Sequence, residues 1–168
     1  MQPSRHTIDV AEVDPEHPDA QHCLRAYFSE LDRRFDVGFD PSATLPLDPD
    51  EMRPPAGTFL VATIEGDPVG CGGLKLRDGR TWAEIKRMWV SPAARGMGLG
   101  RRLLAELEAR ASAAGCAIVR LDTNGTLTEA IALYRSSGYV EVDDFNGEPY
   151  ATLWFEKPLA PTGPRSSP

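Results

Sequence analysis

Apolar and polar residues alternate weakly over "HTIDVAEV", which predicts a first strand. From about Pro18 to Asp36 the apolar residues Leu24, Tyr27, Phe28, Leu31 and Phe35 recur at helical spacing and predict one amphipathic helix. "GFDPSATLPLDPDEMRPPAG" is dense in proline and glycine and predicts a long loop, a kind that is often functional or mobile in compact domains. "TFLVATIEGDPVGCGGLKL" predicts two strands around a hairpin-type turn at Glu65-Gly66-Asp67-Pro68. "TWAEIKRMWVSP" alternates again. Glu84, Lys86, Met88 and Val90 are expected on one face, and Ile85, Arg87 and Trp89 on the other, with Pro92 ending the strand.

A helix is predicted from Gly98 to about Ala114, with Leu99, Leu103, Leu107 and Ala111 on one line and Gly115 past its end. "AIVRLDT" is a near-continuous apolar run suited to a central strand. "TEAIALYRSSGY" predicts a short helix with Thr128 as N-cap and Gly138 past its end. "YVEV" and "YATLWFEKPL" are the last strands. The predicted order, β-α-β-β-β-α-β-α-β-β, is a mixed α/β pattern. One domain is expected over 1–158, followed by a disordered Pro/Ser-rich tail over 159–168.

Composition narrows the function classes. The formal net charge of -7 argues against nucleic acid as a partner. No apolar run is long enough to span a membrane, and the N-terminus has no signal-peptide core, so no membrane partner and a cytoplasmic location are expected. Cys23, Cys71 and Cys116 show no CxxC or Cys/His spacing, which argues against a disulfide framework or a metal site.

"RGMGLGRRLL", Arg95 to Leu104, lies between a strand and a helix. A Gly-rich turn leading into a helix N-terminus suits an anion, because amides point outward and the helix dipole favours negative charge. Arg95, Arg101 and Arg102 are expected to add positive charge. A P-loop requires GxxxxGK[ST], which is missing. A dinucleotide fingerprint would need glycine at position 101, which is Arg101. A tight packing turn would explain the glycines but not the flanking arginines.

"VSPAARGMGLGRRLL" resembles the acetyl-coenzyme A (acetyl-CoA) loop of the GNAT superfamily of N-acetyltransferases, whose R/Q-x-x-G-x-G/A pattern is met by Arg95, Gly98 and Gly100. The resemblance runs from about Thr58 to Lys157 and includes "AEIKRMWV", "LDTN", "ALYRSSGY" and "WFEKPL". It implies a mostly antiparallel mixed sheet of six to seven strands, flanked by helices and splayed near the fourth and fifth strands. It also implies acetyl-CoA as co-substrate. By position, Arg95, Gly96, Met97, Gly98, Leu99, Gly100 and Arg101 would hold the pyrophosphate. Met88, Trp89 and Val90, near a bulge, would pair with pantetheine like an added strand. The implied activity is acetyl transfer to a primary amine of a small molecule, by direct attack in a ternary complex. A protein or peptide acceptor, or a non-catalytic acyl-CoA-binding domain, are the competing readings. Many members form dimers, so a homodimer is open; the sequence has no decisive patch.

Acetyl transfer needs a neutral amine, donors for the oxyanion and a proton for the leaving thiolate. The resemblance implies Tyr134 for the last role; a core tyrosine is the alternative. It implies Glu84 as base, directly or through water, against an ion pair with Lys86 on the same face. It implies a contact with pantetheine or the acetyl region for Asn124, against a turn residue, and an oxyanion donor near Val90. The acceptor is expected between "LDRRFDVGFDP", the Glu84 face and "DFNGEPY", with Phe35, Phe39 and Tyr150 as its walls.

Overall fold

In the computed structural model, which describes residues 7–160, the strand patterns become one seven-stranded sheet. The strands are β1 Ile8–Glu12, β2 Gly57–Ile64, β3 Asp67–Arg77, β4 Trp82–Val90, β5 Ile118–Thr123, β6 Val140–Val142 and β7 Leu153–Pro158. The helices are α1 Pro18–Arg34, α2 Leu99–Ala113 and α3 Thr128–Ser136. This is the predicted order. The predicted tail falls outside the described residues from 161 onward. Strand order is β1-β2-β3-β4-β5-β7-β6, with β4 and β5 the one parallel pair.

Each element ends for a local reason. The β2–β3 turn is two residues long, and Glu65 and Gly66 have φ of 51° and 85°, the left-handed pair that matches strand twist. Pro18 opens α1, and His17 accepts the Asp19 N–H as its cap. Leu127, not Thr128, is the N-cap of α3 and offers no side-chain bond; Thr128 is the first helical residue. The long loop over 38–57 contains a 3-10 turn at Pro49–Met52 closed by a capping box between Asp48 and Glu51.

Two apolar layers cover the two faces of the sheet. α2 buries Leu99, Leu103, Leu107 and Ala111 against Leu60, Leu74, Ile85 and Val119. α1 buries Ala20, Cys23 and Leu24 against Phe59, Val61, Cys71 and Trp89. All three cysteines are buried and free. No helix among the described residues is long and apolar enough to cross a membrane.

The predicted alternation of β4 fails at one point. Cys71 pairs with Trp89 and Gly73 with Lys86, so Arg87 and Met88 oppose the single residue Gly72. This is a β-bulge. Arg87 takes φ of 56°, and the Cys71 thiol donates to its carbonyl oxygen at 3.3 Å. The extra residue reverses the side-chain phase. Ala83 and Ile85 face α2 before the bulge, and Met88 and Val90 face that side after it. Glu84 and Lys86 therefore do not share a face with Met88 and Val90.

Candidate active site

β4 and β5 pair only at Trp82–Ile118, Ala83–Val119 and Glu84–Arg120. Beyond Glu84 the two strands part, and a cleft of ≈ 380 Å³ opens in the wedge. Its walls include Met88, Trp89 and Val90 on one side and Ala130, Leu133 and Tyr134 of α3 on the other. Ser91 donates its N–H to Val69 at 2.8 Å, so the Val90 amide, next in line on an antiparallel pair, turns to the open edge.

The glycine loop closes one end of the cleft. Gly96 and Gly98 have φ of 82° and 77°, and nothing stands within 4 Å of where a Cβ would be. Gly98 caps α2 without a side-chain bond, so among the described residues no capping side chain takes up the first-turn amides of α2. Gly100 serves packing: a Cβ there would meet Leu133 at 3.0 Å. Gly98→Ala should destabilise the fold by about 1–2 kcal/mol, because the left-handed conformation costs that much for an L side chain. Denaturant unfolding reads this directly.

The arginines act differently from the expected positive rim. Arg95 donates to both oxygens of Glu30 in α1, at 2.6 and 2.8 Å, and to the Val90 carbonyl at 3.2 Å. Arg101 binds Ser136 and Ser137 at the end of α3, and Arg102 reaches the Ile8 carbonyl. The loop's free donors are therefore mainly its backbone amides.

A second cavity of ≈ 100 Å³ adjoins the cleft. Phe28, Phe35, Phe39 and Tyr150 wall it as one cluster. Phe39 lies 4.8 Å from Tyr150 and 5.4 Å from Phe28, ring centre to ring centre. Tyr27, Met88 and Tyr134 line both spaces and mark the junction. Tyr134 is nearly buried. Burial, then the charge of Asp122, pushes its phenol well above the ordinary range, and Tyr27 is raised mainly by burial as well. Both hydroxyls stay protonated at working pH.

Two carboxylates, Glu84 and Asp122, share Lys86 and Asn146 as partners beside the smaller cavity. Glu84 is 1% exposed, and both its oxygens are engaged. Arg77 binds Oε1 at 3.1 Å; Lys86 and Asn146 each bind Oε2 at 3.0 Å. Glu84 lines neither cavity. Asp122 lines the smaller one and meets Asn146 at 2.7 Å and Lys86 at 3.4 Å, all through Oδ2. Burial raises the Asp122 pKa, against the lowering effects of Lys86 and Asn146. Burial pulls Lys86 down, but the charges of Asp122 and Glu84 outweigh it and hold its ammonium above the usual value.

The structure thus brings Phe35, Phe39, Tyr150 and Tyr134 together around the smaller cavity, and puts the glycine loop on the adjoining cleft. Met97 points outward, 44% exposed, and lines neither cavity. Asn124 lines the smaller cavity, not the cleft with the loop. Its side chain holds the Tyr150 carbonyl at 2.8 Å and accepts from the Thr126 N–H at 2.9 Å. Sequence patterns pass over Tyr27, Asp122, Asn146 and Arg87. Tyr27 looks like part of the α1 stripe, and Asn146 reaches Glu84 and Asp122 only because β6 folds back beside β7. Among the described residues no cluster of three or more His, Cys, Asp or Glu side chains could hold a metal ion.

Comparison with known proteins is consistent with this geometry. The model of the acetyltransferase (GNAT) family matches residues 11–139. An IAA acetyltransferase of Azospirillum brasilense is 38% identical over 83% of this chain and 92% of its own length. The N-alpha-acetyltransferase RimI of Mycobacterium tuberculosis is 35% identical over 74% of each chain. A GNAT-family acetyltransferase of Staphylococcus aureus, 18% identical, shares the fold with a TM-score of 0.77 over 92% of this chain and all (100%) of its own.

Proposed function

The chain belongs to the GNAT family of acyl-CoA-dependent N-acetyltransferases, and from that premise we propose that it moves the acetyl group of acetyl-CoA to the primary amine of a small molecule, by direct attack in a ternary complex. Acetyl-CoA supplies an activated acyl thioester. The loop amides over 95–101 and the α2 N-terminus would hold its pyrophosphate. The open edge of β4 would pair with pantetheine, and the Val90 amide is the donor assigned to the developing oxyanion.

Tyr134 donates its O–H to the leaving sulfur from the junction of the two cavities. Asp122 receives the amine proton. Its carboxylate lines the acceptor cavity, and burial moves its pKa toward neutrality, where a base is most effective. Glu84, held by three donors, acts as a positioning residue that fixes Lys86 and Asn146. A cytoplasmic location fits three free cysteines and a co-substrate of central metabolism.

The observation that carries this reading is the pair of adjoining cavities that share Tyr134 as a wall. The RimI relative favours a second reading, a protein N-terminus as acceptor. The smaller cavity's ≈ 100 Å³ favours a small body instead. Thiol release from acetyl-CoA, screened over amines, amino acids, aminoglycosides and peptides, decides between them. Release with small amines or amino acids is the expected result. Release with peptides only supports the second reading, and binding of acetyl-CoA without release supports a non-catalytic domain.

A further inference from the structure

We infer that Arg87 is the receptor for a carboxylate on the acceptor, so that the acceptor is an amino acid with an apolar side chain. This rests on the acetyl-transfer reading above and names its substrate class.

Of the cations near the acceptor cavity, Arg77 and Lys86 are held in ion pairs and Arg87 is not. Arg77 and Lys86 both bind Glu84, and Lys86 also binds Asp122. Arg87, next along β4, has no ion pair and no side-chain hydrogen bond among the described residues. Its guanidinium lies 4.9 Å from the centre of the Phe28 ring and lines the cavity. Burial lowers its pKa, yet an arginine remains charged. A half-buried guanidinium without an anion is an unfavourable arrangement that a carboxylate would relieve through two parallel hydrogen bonds.

The backbone adds a second reason. Arg87 is the residue at the β4 bulge, and its φ of 56° is an uncommon conformation for a non-glycine residue within a strand. Without the bulge, Arg87 would continue the alternation on the Ile85 side, toward α2. The bulge turns it to the cavity instead, as bulges beside functional sites commonly re-aim a side chain. The Cys71 thiol supports the bulged carbonyl at 3.3 Å.

The other groups facing Arg87 complete the chemistry. Glu148 also lines the cavity, and its charge reaches Arg87 without forming an ion pair. It accepts the Leu45 N–H at 3.1 Å and the Tyr150 N–H at 3.3 Å, so it is fixed in place. A zwitterion fits between a fixed anion and an unpaired cation. The rings of Phe28, Phe39 and Tyr150 would cover its apolar side chain.

Isothermal titration of N-acetyl-L-leucine and of its uncharged amide tests this without turnover. The wild type should bind the acid at least about tenfold more tightly than the amide, the discrimination expected of a charge-assisted hydrogen bond. In Arg87→Met that gap should close with the amide affinity unchanged, and Arg87→Lys, which keeps the charge but loses the fork, should retain part of it. If Arg87→Met does not fold, a reduced gap in Arg87→Lys carries the same information. Equal binding of acid and amide to the wild type, a gap that survives in the variants, or no binding of either ligand overturns the inference. Acetyl-CoA titrated into the same samples separates the two claims. If it binds and amines turn over without a carboxylate preference, only the Arg87 assignment falls. If it does not bind, the acetyl-transfer reading falls and takes this one with it.

Discussion

Tyr134→Phe should lower kcat by about 100-fold or more, the usual worth of a positioned general acid, while acetyl-CoA still binds within about threefold of the wild type. The change removes one oxygen from a nearly buried ring that also packs against Tyr139 and Phe155, so the fold should survive it. The mechanism behind the loss is specific. Burial and the charge of Asp122 both favour the neutral phenol, so its proton is present at any working pH. The phenol acts as a hydrogen-bond donor to the sulfur as charge builds there. No alkaline limb from Tyr134 should therefore appear in the pH profile of the wild type. If kcat is unchanged in Tyr134→Phe, the ring is a core residue and the thiolate takes its proton from elsewhere.

Asp122→Asn and Glu84→Gln separate a base from a positioning group. A base must be deprotonated to accept the amine proton, so kcat/KM should rise with pH through the Asp122 pKa. Burial sets that limb above the ordinary carboxylate value of about 4. Asp122→Asn should remove the limb and cost roughly 100-fold in kcat. Glu84→Gln should keep the limb but move it, because it takes one carboxylate from Lys86 and Asn146, the groups that hold Asp122. With Glu84 gone, Lys86 is left to Asp122 alone, its attraction lowers the Asp122 pKa, and the limb shifts to lower pH. A limb that vanishes in Glu84→Gln and persists in Asp122→Asn would reverse the two assignments.

Much of this fold is legible in the chain because each element carries its own period. The α1 stripe, the line of leucines in α2 and the alternation of β2 and β3 each depend on residues close in sequence. The glycine loop is legible for the same reason: Gly96 and Gly98 are local demands of the backbone. The family resemblance implies a bulge about Met88 to Val90, but its place at Arg87 is not legible. It depends on how Gly72 and Gly73 register across the strand pair, and nothing about arginine announces a left-handed backbone. One extra residue there moves Met88 and Val90 to the opposite face from Glu84 and Lys86. The partners of Glu84 are hidden likewise. Asn146 and Asp122 lie far away in sequence, and only sheet order brings them to Glu84 and Lys86. The Arg95 side chain illustrates a further limit, because its pairing with Glu30 needs the position of α1 over the cleft mouth.

The aromatic walls lie between these cases. Phe28 and Phe35 are read as one apolar stripe of α1, and in the structure they do share a side. That side turns toward Phe39 and Tyr150, and the four rings frame a space instead of filling it. Helical spacing predicts which residues share a face; it does not predict whether the facing loop leaves room.

The central claim is direct acetyl transfer from acetyl-CoA to an amine held in the same complex. Initial velocities measured over a grid of acetyl-CoA and acceptor concentrations test it most directly. Intersecting double-reciprocal lines, with one acetylated amine formed per thiol released, are the predicted result. Parallel lines together with an acetylated form of the protein would contradict it.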